Sequence, residues 1–213
     1  MDKNKYEVIK IKMLRTAEAL KKNNFYCKCA ENREEALKIV KSLINEGDSV
    51  SVGGSVTLSE LGILEMLKEG PYNYLDRYEK GLSRTQMEEV YVKSLLTDVY
   101  LTSSNAITEN GELYNIDGNS NRVAAMLYGP KSVIVVAGYN KIVKDLDAAR
   151  SRLKEIAAPA NATRLNMGTP CTVTGKCCNC SSENRICANT VIMSRQRNKD
   201  RVKVILVGEE LGY

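Results

Sequence analysis

The sequence contains no histidine. No imidazole is therefore at hand for general-base work near neutral pH, and neither a Ser–His nor a Cys–His nucleophile can form within the chain. Any metal site has to be built from thiolates, carboxylates or carbonyls. Long hydrophobic runs are also missing: no stretch approaches the roughly 20 apolar residues that cross a bilayer. The first ten residues, MDKNKYEVIK, are mixed in charge and lack the apolar core of a secretory signal. A cytoplasmic protein without membrane contact is expected. Nucleic acid is not an expected partner either. The net charge of +5 is concentrated in residues 151–213, which hold ten Lys or Arg against five Asp or Glu. That segment has no interleaved aromatics and no recognition motif, so it reads as a solvated basic face.

What is present is ordinary globular material. Of the 213 residues, 43% are hydrophobic and 27% charged, enough for one substantial core. Tyr6, Ile9, Met13, Ala17 and Leu20 recur at helical spacing and predict a helix over residues 4–23. A second helix is expected over residues 33–46, capped by Asn32 with Glu35 reaching back and stopped by Gly47. A short strand follows over 48–52. The pattern Thr57-Leu-Ser-Glu60 reads as a capping box for a third helix that ends at Gly70-Pro71. Residues 72–78 are a possible strand, 84–96 a helix and 98–102 a strand. The β-branched run 131–137 suits a fully buried parallel strand, and residues 145–156 suit a helix. This alternation predicts an α/β fold of βαβ units around a mostly parallel sheet. From Pro159 to residue 188 the chain is rich in Asn, Thr, Gly, Ser and Cys, without apolar periodicity. Two β-like stretches, 190–194 and 202–207, close it. The last is apolar enough to rejoin the sheet. The expected organisation is one domain over residues 1–213, with 159–188 as a cysteine-rich insertion.

Two loops carry candidate chemistry. The first strand runs into Gly53-Gly54-Ser55-Val-Thr57, where glycine allows close backbone approach and the following helix offers free N–H groups. Ligands of open α/β sheets bind at this carboxyl end of the strands. Gly53, Gly54, Ser55 and Thr57 are candidates for holding a small carboxylate or phosphate; the bland alternative is a capped turn. Further on, Glu109-Asn110-Gly111 reads as a tight turn between strands, and Asp117-Gly118-Asn119 as a second. Together they gather Ser103, Ser104, Asn105, Glu109, Asp117, Asn121 and Arg122. Glu109 is a candidate nucleophile or proton carrier, Arg122 a candidate carboxylate clamp, and Asn105 and Asn121 candidate ligand contacts. Two solvated turn tips are the alternative.

The run TSSNAITENGELYNIDGNSNRVAAMLYGPKSVIVVAGYNKIV, with SVGGSVTLSELGI upstream and PCTVTGKC, RIC, TVIM and RVKVILVGEELGY downstream, resembles the LUD domain family of lactate-utilisation proteins. The resemblance covers nearly the whole chain. It implies a Rossmann-like three-layer sandwich of the NagB/RpiA/CoA-transferase-like group. It also implies a role in oxidising lactate to pyruvate, or in an allied organic-acid pathway, beside iron–sulfur partner proteins. In the wider fold group, CoA transferases form an acyl adduct on the glutamate of a Ser-Glu-Asn-Gly motif. This chain has Thr108-Glu109-Asn110-Gly111, one residue different, so an acyl-CoA or folate-type enzyme is an alternative. A non-catalytic metal- or redox-sensing component is another, and a homo-oligomer is compatible with all three.

Five of the seven cysteines lie in Cys171-x5-Cys177-Cys178-x-Cys180-x6-Cys187. Four thiolates on a loop-rich segment suit zinc or an iron–sulfur cluster, and a cytosolic chain favours metal over disulfides. Cys171, Cys177, Cys180 and Cys187 are the candidate ligands; a packed, reduced loop is the alternative. Cys27 and Cys29 are expected on opposite sides of a strand, as core or surface residues and not as ligands.

Overall fold

The computed structural model describes residues 2–213. Six strands form an all-parallel sheet. In chain order they are β1 (Tyr26–Ala30), β2 (Ser49–Val52), β3 (Asn73–Leu75), β4 (Val99–Thr102), β7 (Ser132–Gly138) and β10 (Val202–Val207). Their spatial order is β1-β10-β7-β4-β2-β3. The closing stretch therefore enters the sheet between β1 and β7, where Lys203 to Val207 pair in register on both sides. A smaller mixed sheet, ordered β8-β5-β6-β9, comprises β5 (Ala106–Thr108), β6 (Leu113–Asp117), β8 (Ile142–Val143) and β9 (Asn189–Met193).

The period-two alternation of the central strands divides the core into two layers. Along β10, Val202, Val204 and Leu206 face one side, while Ile205 and Val207 face the other; β7 divides likewise between Val133, Val135 and Ala137 and the pair Ile134 and Val136. On the first side lie α1 (Lys3–Lys22), through Ile9, Met13, Ala17 and Leu20, α6 (Asn121–Leu127), and Ile107, Leu113 and Met193 of the small sheet. On the second lie α2 (Arg33–Lys41), α3 (Val56–Glu60) and α4 (Ile63–Glu69). The helix expected over residues 84–96, α5 (Arg84–Ser94), joins β2 through a 2.6 Å hydrogen bond between Ser94 Oγ and Ser51 Oγ. The result is the mostly parallel α/β sheet expected from the strand–helix rhythm, in the three-layer arrangement that the resemblance implied.

Several local expectations are corrected. The second helix stops at Lys41, and Gly47 serves a later turn in the left-handed region (φ +79°). Asn32 does cap it, but Glu35 reaches past the cap to the Glu31 N–H at 2.7 Å. The cap of α3 is Ser55, whose hydroxyl accepts from the Leu58 N–H; Thr57 lies inside the helix, buried, and its hydroxyl is used elsewhere. The predicted long third helix is two helices, broken at Gly62 with φ +68°. Residues after 156 are more regular than their composition suggests. From α7 (Leu146–Arg152) the chain passes through a π-helical turn (Leu153–Ala157) into α8 (Ala158–Arg164), with Pro159 near the α8 start. A one-turn helix, α9 (Pro170–Thr174), follows. Both positions are where a missing N–H does no harm. Cys27 and Cys29 face the same side of β1, as residues two apart must: both contribute to the first core layer, and burial raises both thiol pKa values. No helix among the described residues is long and apolar enough to cross a membrane.

Candidate functional site

The loops leaving the carboxyl ends of β2 and β4 and the turn after β7 enclose a cavity of about 570 Å³. One wall is the diglycine loop, through Gly54, Ser55 and Thr57. A second comprises Ser103, Ser104 and Asn105, with the Asp117-Gly118-Asn119 turn and Asn121 and Arg122 of α6. Arg77, Tyr78 and Tyr91 line it from the β3–α5 side. Asn161 and Arg164 of α8 and residues 183–187 of the cysteine segment close the far side. The turn and the cysteine segment touch directly: a Cβ on Gly118 would stand 3.2 Å from the Ile186 carbonyl oxygen, and the Ala188 N–H bonds the Asp117 carbonyl at 3.0 Å. The cysteine-rich stretch is thus a wall of the cavity.

The two glycines have separate tasks. Gly53 is buried behind the cavity and its N–H bonds the Leu101 carbonyl at 2.8 Å. A Cβ there would lie 2.9 Å from Thr102 Oγ1 and 3.0 Å from both Arg122 Cγ and Tyr100 Oη. Gly54 faces the cavity. A Cβ there would meet only the Arg77 guanidinium, at 3.7 Å and beyond.

Arg122 lines the cavity but is not free to clamp a carboxylate. Its Nε donates to Asp117 Oδ2 at 3.1 Å. Nη1 donates to the Ser103 carbonyl at 3.0 Å and to Asn115 Oδ1 at 2.8 Å, and Nη2 to Asn105 Oδ1 at 3.2 Å and the Ile116 carbonyl at 2.8 Å. These five bonds use all five guanidinium donors. Asn105 has its Oδ1 committed in the same way, since it also accepts from the Ile116 N–H at 2.9 Å, while its Nδ2 makes no bond to the described residues. Both residues hold the wall in shape.

Glu109 is not brought to the cavity. The Glu109-Asn110-Gly111 turn packs on α1: Gly111 has φ +81°, and a Cβ there would meet the Ala19 and Leu20 backbone at 2.6 Å. Asn23 Nδ2 donates to the carbonyls of Asn110 and Gly111, each at 3.0 Å. The Glu109 carboxylate is ion-paired with Arg15 and lies 3.8 Å from Lys12 Nζ, both on α1. Of the two polar turns, it is the second that meets the diglycine loop.

Sequence reading missed Lys141 and Arg77. Lys141 sits in a short 3-10 turn after β7, 3% exposed, on the cavity wall. Its Nζ lies 2.9 Å from Thr57 Oγ1 and 3.0 Å from Ser103 Oγ. Among the described residues it has no carboxylate in ion-pairing range. Burial, with the positive guanidinium groups of Arg152 and Arg122 nearby, lowers its pKa to about 7. Arg77 stacks on Tyr91 and Tyr78, with the guanidinium carbon 4.9 Å and 5.6 Å from their ring centres, and donates to Tyr91 Oη at 3.1 Å. Its buried Nε and the buried Tyr213 Oη, also on the wall, lack partners among the described residues. Four arginines line the cavity (Arg77, Arg122, Arg164, Arg185), beside the buried Lys141, against the carboxylates of Asp117 and Glu183. Asp117 is already paired with Arg122, so the remaining field is positive.

Beside this cavity, Cys171, Cys177, Cys178, Cys180 and Cys187 all line one hollow of about 20 Å³ against Ala158 and Ala162 of α8. The Asn179 N–H points at Cys177 Sγ (3.4 Å) with Asn179 at φ +50°, and Arg185 ties the Cys180 and Cys187 carbonyls together at 2.9 Å each. Among the described residues, no three His, Cys, Asp or Glu side chains converge to metal-ligating geometry, and the cysteines are unpaired.

An all-parallel sheet flanked by helices, with a cavity at its strands' carboxyl ends, defines an open α/β protein. The LUD domain profile matches residues 13–207, and the chain belongs to that family. In fold it is similar to a DUF162 family protein from Deinococcus radiodurans, known from a crystal structure, with a TM-score of 0.51 at 12% identity. That likeness covers 93% of this chain and 98% of the other. No curated protein sequence matches the chain.

Proposed function

We propose that this LUD-family protein binds a small organic anion of lactate or related organic-acid metabolism, in the cytoplasm, within the cavity between the diglycine loop and the Asp117-Gly118 turn. The observation that carries this reading is the imbalance of charge on the wall. Arg77, Arg164 and Arg185 present guanidinium groups around a small space in which the acidic Asp117 is already neutralised. Arg77 takes the clamp role that sequence reasoning gave to Arg122, because its guanidinium lies over Gly54 and retains donors unmatched by protein acceptors. Gly54, Ser55 and Asn121 line the same cavity and would contact the same ligand. Calorimetric titration with lactate, pyruvate and inorganic phosphate tests the reading. Binding of at least one, weakened about tenfold or more by Arg77→Ala, supports it; no heat with any of them contradicts it.

A second reading, a metal- or redox-responsive component, draws on the hollow shared by the five cysteines and on the N–H···S bond at Cys177. Zinc or an iron–sulfur cluster held by Cys171, Cys177, Cys180 and Cys187 would stiffen a cavity wall. The acyl-transfer reading gains nothing from the position of Glu109, which is ion-paired away from the cavity.

A further inference from the structure

We propose that Lys141 is a nucleophilic amine that captures the carbonyl carbon of a small oxo acid held in the cavity. This inference rests on the anion-binding reading above and adds a covalent step to it. Lys141 Nζ reaches two hydroxyls from two walls of the cavity, Thr57 Oγ1 at 2.9 Å and Ser103 Oγ at 3.0 Å. Among the described residues no carboxylate lies in ion-pairing range to hold it as an ammonium. Two hydroxyls and no counter-ion suit an amine with two N–H groups and a lone pair.

The surroundings act in the same direction. Burial disfavours the charged form, as do Arg152 from α7 and Arg122 from α6, and Glu60 of α3 offsets them only in part. Arg152 cannot move aside, because it donates to the Asn140 carbonyl at 3.1 Å and the Asn105 carbonyl at 2.7 Å. Lysines desolvated beside other cations are the ones that serve as nucleophiles.

In the step itself the Nζ lone pair forms a bond to the carbonyl carbon as the C=O π bond breaks onto oxygen. Proton transfer gives a carbinolamine. Loss of the former carbonyl oxygen with both amine protons, as water, leaves a neutral C=N imine. No oxidant or reductant is consumed. The carboxylate of the oxo acid would face the cationic wall.

The test is reductive trapping of the intact protein with pyruvate and cyanoborohydride, followed by peptide mapping. Lactate, which has no carbonyl to attack, serves as control. The expected result is one adduct, on Lys141, formed at least about tenfold faster at pH 7 than on any other lysine, because an ordinary lysine is almost wholly protonated there. Lactate gives none. In Lys141→Met the adduct disappears; should that variant fail to fold, the wild-type peptide map still decides. Calorimetric binding of pyruvate without an adduct, or with adducts spread over surface lysines, overturns this inference and leaves the anion-binding reading standing. No heat with pyruvate, lactate or inorganic phosphate removes both.

Discussion

Lys141 Nζ and Thr57 Oγ1 stand 2.9 Å apart, a buried hydrogen bond that ties the turn after β7 to the helix that follows the diglycine loop. The same threonine is pressed by the chain's last residues: a Cβ on Gly212 would lie 2.7 Å from Thr57 Oγ1. Gly212 is in turn pinned by its N–H to Glu60 Oε2 at 2.7 Å. The base of the cavity is therefore a junction of three segments far apart in sequence.

Lys141 should weaken the fold at neutral pH. Its folded pKa of about 7 lies below the ordinary lysine value, so folding expels a proton between roughly pH 7 and pH 10.5. In that window the unfolded chain binds more protons, and stability rises with pH. The penalty is fully present below about pH 7 and is relieved toward pH 10.5. Relative to Lys141→Met, the wild type should gain on the order of a few kcal/mol between pH 7 and pH 10. Paired urea titrations across that range check it; parallel pH profiles would refute it.

Arg122→Ala should act on stability before it acts on binding. The substitution strands Asp117, Asn115 and Asn105, all partly or fully buried, without their shared donor. Loss of one partner from such a pair costs about 3–5 kcal/mol. Chemical denaturation should show a loss of that order. A variant as stable as wild type would mean that the guanidinium does not hold the wall.

Gly53→Ala and Gly54→Ala should part company. At Gly53 the added methyl presses on Thr102, Tyr100 and Arg122, so about 1–3 kcal/mol of stability should be lost. At Gly54 it makes only ordinary contact with Arg77, so the fold should stand while anion affinity falls. Thermal melts paired with calorimetry separate the two effects.

Glu109→Gln should leave small-anion binding unchanged and lower stability by about 1 kcal/mol or less, since its direct partner Arg15 is largely solvated on α1 and Lys12, 3.8 Å away, keeps its bond to the Ile142 carbonyl. Incubation with acyl-CoA followed by mass spectrometry should find no adduct on Glu109. An adduct there would restore the acyl-transfer reading.

Metal analysis addresses the cysteine segment. If the thiols bind zinc or an iron–sulfur cluster, about one equivalent should accompany the purified protein and be lost in Cys177→Ser and Cys180→Ser. Wild-type protein free of metal after anaerobic purification would leave the cysteines as packing along α8.

The strand–helix rhythm was legible because it rests on local periodicity. The run 131–137 became the central β7, and Ile9, Met13, Ala17 and Leu20 did face the core. The carboxyl-end position of the cavity followed from the same pattern, and Gly54, Ser55, Asn105, Asn121 and Arg122 do line it. The roles within it were not legible. Arg122 read as a free cation because the five acceptors around it come from residues 103 to 117, brought together only by folding. Glu109 and Asp117 sit in turns of similar composition, and nothing local says which turn faces α1 and which faces the diglycine loop. Lys141 left no signal at all in Tyr-Asn-Lys-Ile, since its burial depends on Thr57 and Ser103. The helical reach of residues 157–164 was hidden because Pro159 falls where a helix tolerates it.

The most direct measurement is a crystal structure of the protein grown with pyruvate. Density for the ligand is expected inside the cavity, its carboxylate beside the Arg77 guanidinium and its carbonyl carbon within bonding reach of Lys141 Nζ. A ligand found beside Glu109 on the α1 face, or a cavity holding only solvent at saturating pyruvate, would contradict the account.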